Sequence, residues 1–352
     1  MVEIMKRSKE NFRGCLLGGA IGDALGWPVE FLSLDEIKKN YGEQGITDLI
    51  VGISGKSEIT DDTQMTLFTA EGLLRAESRG REKGICHPQT VVYYAYQRWL
   101  NTQGYPKIKD LEWIYDGLLV GVKEMHKRRA PGNTCLSALL SGKQGSVDNP
   151  INNSKGCGGV MRVAPVGLYY RKENAFNIAS ELAALTHGHS SGYLSGGALA
   201  YMIASIIEGE TIETVVENTL VELKKHENHQ ECVKSLSQAL NLSNSGLSDI
   251  DAILHIGEGW VGEEALGIST YCTLKYKNDF NKALIAAVNH NGDSDSTGAI
   301  TGNIIGAYLG LKRIPQDWVF KVELKEVITQ LADDLFVKYQ EGDEWWSRYP
   351  GY

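Results

Sequence analysis

The sequence predicts an all-α fold. Apolar residues recur at helical spacing through most of the chain, and no convincing stretch alternates apolar with polar residues as a strand would. Hydrophobic residues make up 42% of the chain, enough for a large interior. Its 352 residues lie slightly above the usual ceiling for one hydrophobic core. The polar stretches 142–159 and 243–249 read as loops, and neither has the character of a flexible linker. One domain over residues 1–352 is therefore expected, with no internal repeat and no low-complexity segment.

The first element runs from Phe12 to Gly26, where Gly18, Gly22 and Gly26 are spaced by four. That spacing puts them on one helix face, where a second backbone can come close, so packing is their expected role. Gln64 to Arg75 carries Met65, Leu67, Phe68, Leu73 and Leu74 in an amphipathic pattern. Further helices are expected over 90–100, 111–127, 135–140, 175–185, 195–208 and 212–226. The remainder fall at 231–241, 263–273, 279–289, 299–311 and 322–338. The aromatic tail Trp345-Trp346-Ser347-Arg348-Tyr349 reads as a packed C-terminus.

Composition removes several functions. Lys and Arg total 35 against 44 Asp and Glu, a net charge of −9, which is the wrong balance for a nucleic-acid partner. The stretch MVEIMKRSKENFRG has no apolar core and is not a secretion signal. No apolar run approaches the roughly 18–20 residues needed to cross a membrane. The six cysteines are scattered without a Cys-x-x-Cys pair, as expected of reduced thiols in a cytoplasmic protein.

Chemistry concentrates in two acidic clusters, Thr60-Asp61-Asp62-Thr63 and Asp293-Ser294-Asp295-Ser296-Thr297, each just before a helical stretch. Such residues commonly cap helices. A cap needs only one oxygen acceptor, however, and adjacent carboxylates repel unless a cation lies between them. An EF-hand fails: counting Asp293 as position one puts Ile304 at position twelve, where Glu must stand. Asp carboxylates with Thr and Ser hydroxyls suit Mg²⁺ or Mn²⁺ rather than zinc or copper. If the clusters meet, two cations about 3.5–4 Å apart can be held.

Five segments carry a family resemblance: GCLLGGAIGDALGWPVEF (14–31), ITDDTQMTL (59–67), NSKGCGGVMRVAPVGL (153–168), THGHSSGYLSGGALA (186–200) and NHNGDSDSTGAITGNIIGAYLG (289–310). In this order they resemble the ADP-ribosylglycohydrolases, and they span most of the chain, roughly 14–310. The resemblance implies an orthogonal helical bundle around a centre of two Mg²⁺, with Mn²⁺ as the alternative. The implied ligands are Thr60, Asp61, Asp62, Asp293, Asp295 and Ser296, the last filling a place often taken by Thr. Glu30 matches a carboxylate that some members use in catalysis. Asn153, Ser154, Gly156, Gly158 and Gly159 look like the loop for diphosphate and ribose, and His187 matches a position near the diphosphate. Ala130 stands where the nitrogenase-regulating branch has Asp, which shifts weight to Glu30, Asp61 and Asp62.

The reaction so implied is hydrolysis of the N-glycosidic bond between ADP-ribose and an arginine side chain of a modified protein, releasing ADP-ribose. Its oxocarbenium-like transition state favours carboxylates beside the anomeric carbon. Asp-Ser-Asp-Ser-Thr-Gly looks more like the arginine-specific branch than the serine-specific one. An ADP-ribosyltransferase toxin is a candidate partner if the protein confers immunity. Serine-linked or small-molecule ADP-ribosyl conjugates, and a non-catalytic binder on the same scaffold, are the alternative readings.

Overall fold

The computed structural model describes residues 7–352, so the first six residues of the stretch read for a secretion signal lie outside the described residues. Among the described residues there are seventeen α-helices and no strand, only two isolated bridges, Ser57 with Val322 and Gly156 with Val261. In chain order the helices are α1 (Lys9–Gly26), α2 (Leu34–Tyr41), α3 (Asp61–Lys83), α4 (Pro88–Thr102), α5 (Asn133–Leu140) and α6 (Ala164–Tyr169). Next come α7 (Lys172–Ala184), α8 (Ser190–Glu208), α9 (Ile212–Leu223), α10 (Gln230–Ser243), α11 (Asp249–Ile256) and α12 (Gly262–Lys275). The last are α13 (Phe280–Val288), α14 (Ser294–Leu309), α15 (Gln316–Lys321), α16 (Lys325–Val337) and α17 (Asp343–Arg348).

The architecture turns on one helix pair. Along α1, Gly14, Gly18, Gly22 and Gly26 face Gly306, Gly302, Gly298 and Ser294 of an antiparallel α14. A Cβ added at these four positions would fall 2.4, 2.4, 2.0 and 2.2 Å from the facing carbonyl oxygens. Only glycine admits backbones this close. The contact joins the two ends of the sequence and fixes where α14 begins relative to the loop after α1. Around this axis α3, α8 and α12 bury most of their residues in a continuous apolar core, with a smaller cluster between α10, α11 and α12.

The helix expected over 111–127 is instead three 3₁₀ turns, Glu112–Ile114, Leu119–Gly121 and Lys123–His126. Asp110 and Gly117 take positive φ, 67° and 107°, which ends any regular helix. Buried side chains also capture the backbone groups a helix would use. Arg98 donates to the Ile114 carbonyl (3.2 Å), Arg75 to that of Asp116 (2.8 Å), and the Leu119 N–H donates to Glu71 (3.1 Å). Helices α2, α6, α11, α15 and α17 were not anticipated in full; α2 carries a capping box between Ser33 and Glu36, a signal present in the sequence. Among the described residues no single helix is long and apolar enough to cross a membrane.

Candidate active site

Both acidic clusters lie on first turns, three to five residues earlier than the apolar pattern places the helix starts. Each cluster spends one member on capping. Thr60 caps α3, its hydroxyl accepting from the Asp62 N–H (3.3 Å), and Asp293 caps α14, accepting from the Ser296 N–H (3.2 Å). This leaves Asp61, Asp62 and Asp295 in excess of what capping needs.

Asp23, on the last turns of α1, was not singled out from the sequence although it sits in the Gly-Asp-Ala-Leu-Gly stretch. It is fully buried and holds the start of α3: Thr60 N–H donates at 2.9 Å, Thr63 N–H at 3.1 Å and the Thr63 hydroxyl at 2.5 Å. Burial raises its carboxyl to about 6 even against those hydrogen bonds. Asp23 thus links the glycine-packed α1 to the cluster on α3, as the glycine contact links α1 to the cluster on α14.

The clusters converge on one cleft of about 360 Å³, lined also by Glu30, Gly156, Gly158 and His187. Asp61 accepts from the Gly132 N–H (3.2 Å), and Asp293 accepts from the Cys157 thiol (2.7 Å). Burial, with Asp293 and Asp61 nearby, pushes Glu30 up to about 9. Burial likewise pushes Asp61 up to about 8. Asp62 is raised well above the carboxylate range by burial and then by Asp61, and Asp295 by burial and then by Asp62. Glu30, Asp61, Asp62 and Asp295 resist ionising first because they are buried, and among the described residues no Lys or Arg lines the cleft to offset that.

Two buried oxygens, Oδ1 of Asp62 and Oε2 of Glu30, have no hydrogen-bond partner. Orphaned carboxylate oxygens beside further carboxylates and the Ser296 hydroxyl form a donor set suited to hard divalent cations. In donor chemistry the residues fit such a group. A ready-made coordination shell is not present: among the described residues no three His, Cys, Asp or Glu side chains form a metal-holding group.

The other expected site residues divide. His187 lines the cleft, its ring held below its ordinary range, at about 3, by burial and then by Arg162, so it is neutral. Its Nδ1 meets the Thr186 hydroxyl at 2.8 Å. A Cβ at Gly158 would lie 3.0 Å from the His187 ring and 2.9 Å from Cys135 Sγ, so glycine lets this loop close over the ring. Ser154 bonds Thr134 (3.1 Å) beside the cleft. Gly159 is buried against α8, Thr60 is fully buried and not part of the cleft lining, and Asn153 lines a separate depression with His189 and Tyr193. Sequence reasoning also passed over Phe31 and Trp260, which stack at the cleft with ring centroids 6.0 Å apart and planes at 19°. They are 68% and 40% exposed, which apolar periodicity alone cannot mark as functional.

The fold and site define an all-helical bundle that gathers carboxylates from both ends of its chain into one acid-lined cleft. The fold matches that of a solved structure, the ADP-ribosylglycohydrolase-related protein complex, with a TM-score of 0.67 and 23% identity over 95% of this chain and 99% of that one. The ADP-ribosylglycohydrolase sequence profile matches residues 5–344, and the chain belongs to that family. It is 30% identical to an uncharacterised protein of Archaeoglobus fulgidus, covering 93% of this chain and 96% of the relative. It is 26% identical to the mouse (Mus musculus) ADP-ribosylhydrolase ARH3 (95% and 93%). It is also 26% identical to the ADP-ribosylarginine hydrolase Tri1 of Serratia proteamaculans (96% and 81%).

Proposed function

We propose that this glycohydrolase removes ADP-ribose from arginine side chains of modified proteins with the help of divalent cations. The relative named for arginine is no more similar than the one whose name gives no acceptor, so the arginine reading rests on the cleft walls. The exposed faces of Phe31 and Trp260 stand at the cleft, and among the described residues no lysine or arginine lines it. A guanidinium is planar, cationic and weakly hydrated, and the aromatic faces attract it. A serine hydroxyl gains little from them.

In this reading Thr60, Asp61, Asp62, Asp293, Asp295 and Ser296 hold two Mg²⁺ or Mn²⁺. Bound there, the cations would neutralise the carboxylates and polarise the ribose hydroxyls. Glu30, with one oxygen free of protein partners, exchanges a proton beside the anomeric carbon. Neutral His187 and the loop at Gly156 and Gly158 form the wall that takes the diphosphate, where a neutral ring donates a hydrogen bond without trapping the product as a full cation would. The protein works where ADP-ribosylated proteins occur, which in the cytoplasm includes the targets of an ADP-ribosyltransferase toxin.

The deciding experiment incubates ADP-ribosyl-arginine and ADP-ribosyl-serine proteins with the enzyme and Mg²⁺, following free ADP-ribose. Release from the arginine conjugate supports the proposal; release from the serine conjugate alone overturns it. Protection against a transferase by Glu30→Gln and Asp62→Asn variants as strong as by wild type would replace hydrolysis with binding.

A further inference from the structure

The cleft is acid-lined; a second cavity has the opposite character. It measures about 430 Å³ and lies between α3, α4, the 3₁₀ turn at 112–114 and the C-terminal residues 350–352. Three arginines line it and, among the described residues, no Asp or Glu does, in a chain of net charge −9. Arg98 is satisfied by Glu71 at 2.8 and 3.0 Å, and Arg75 by the Asp116 side chain at 3.0 Å. Arg79 is half-buried, and its guanidinium makes no hydrogen bond or ion pair among the described residues. Arg79 is therefore the arginine of this cavity left without a partner among the described residues.

Its walls are aromatic and fixed. Tyr94 meets Trp113 edge to face at 5.6 Å, and Trp113 meets Tyr352 the same way at 6.2 Å. The tail that supplies Tyr352 is pinned at several points. The Trp345 indole donates to Ser78 (3.1 Å), the Tyr352 hydroxyl donates to Asp116 (2.8 Å), and a Cβ at Gly351 would fall 2.4 Å from the Arg79 backbone nitrogen. The aromatic tail, with no part in the catalytic cleft, thus completes a pocket. Helix α3 joins the two sites: from Asp61 to Arg79 is eighteen residues, about 27 Å at 1.5 Å per residue. No single small ligand occupies both.

We propose that this cavity is a second ligand site, for a small planar aromatic molecule bearing one anionic group. The ring lies against Tyr94, Trp113 and Tyr352, and the anion pairs with Arg79 in a setting where a charge-assisted bond is stronger than in open water. The ring faces give affinity; the arginine discriminates charge.

Calorimetry on the full chain tests this with 2-naphthoate and its neutral isostere 2-naphthamide. The expected result is one-to-one binding of naphthoate, with the amide about tenfold weaker or worse. Arg79→Gln brings naphthoate down to the level of the amide while circular dichroism and Tm stay as in wild type, and Arg79→Lys restores part of the difference. Asp62→Asn, in the distant cleft, leaves naphthoate binding unchanged. Equal affinity for the two probes, no response to Arg79→Gln, loss of binding in Asp62→Asn, or no naphthoate binding at millimolar concentration would overturn the proposal. None of these outcomes depends on which ADP-ribosyl bond the enzyme cleaves.

Discussion

Gly22→Ala tests whether the glycine contact between α1 and α14 sets the active site as well as the fold. The new Cβ would stand 2.0 Å from the Gly298 carbonyl oxygen and 2.3 Å from its carbon. Restoring an ordinary contact of about 3.4 Å requires the helices to part by roughly 1.4 Å. Overpacking of this kind costs about 1–3 kcal/mol, and two backbones cannot rotate away as a side chain can, so the upper end applies. Alanine returns about 1 kcal/mol through helix propensity. The net loss is about 2 kcal/mol, a few degrees in Tm. Gly14→Ala meets the Gly306 oxygen at 2.4 Å and should lose a similar amount. The two differ in position: Gly298 is three residues beyond Asp295, whereas Gly306 is two further turns or more along α14. Metal ligation tolerates only about 0.2 Å of misplacement. Gly22→Ala should therefore weaken Mn²⁺ binding and lower kcat/KM at least tenfold, while Gly14→Ala stays within about threefold. Calorimetric Mn²⁺ titration beside thermal melts separates the two effects. Equal losses of Mn²⁺ affinity in both variants, or none in either, would refute the argument that α14 is placed by this contact.

Three further outcomes follow from the same geometry. Metal-free protein should become less stable as pH rises from about 4 toward 9: Asp23, Asp61 and Glu30 have folded values raised to about 6, 8 and 9, so the folded state holds protons that the unfolded state has released. Melts from pH 5 to pH 8.5 with and without Mg²⁺ check this; the cation should raise Tm more at the alkaline end, where it replaces those protons. Asp62→Asn removes a buried carboxyl with an orphaned oxygen, so the metal-free Tm at pH 8 should rise while the Mg²⁺-induced shift and hydrolysis both disappear. Ala130 lines the cleft with φ of 46°, a conformation that costs an L-residue roughly 1–2 kcal/mol. Ala130→Gly should therefore unfold at a denaturant concentration equal to or higher than wild type's, since the strain relieved exceeds the entropy glycine adds.

What the sequence disclosed and what it hid divide along a physical line. Periodicity found α1, α3 and α14 because each buries a face whose apolar or small residues recur every three or four positions. It misplaced the starts of α3 and α14 because their first turns are polar and buried, and burial of a carboxylate leaves no apolar trace. It failed at 111–127, where apolar spacing is helical but buried Arg75, Arg98 and Glu71 claim the backbone groups. Asp23 escaped for the same reason as the polar first turns: its role is to accept hydrogen bonds from a helix thirty-seven residues away, a long-range partnership that no local pattern encodes. The capping that the structure shows for the acidic clusters is compatible with the metal role proposed for them. Thr60 and Asp293 cap the helix ends, and the remaining carboxylates keep few donors: Asp295 shares the Ser296 N–H (2.9 Å), Asp61 accepts from the Gly132 N–H, and Oδ1 of Asp62 has no partner. With Asp23 taking the Thr60 and Thr63 amides, and no Lys or Arg lining the cleft among the described residues, the excess negative charge is left to protons or added cations. Capping is thus the local device that makes the cluster a site: it anchors the carboxylates on rigid helix starts while leaving their charge uncompensated.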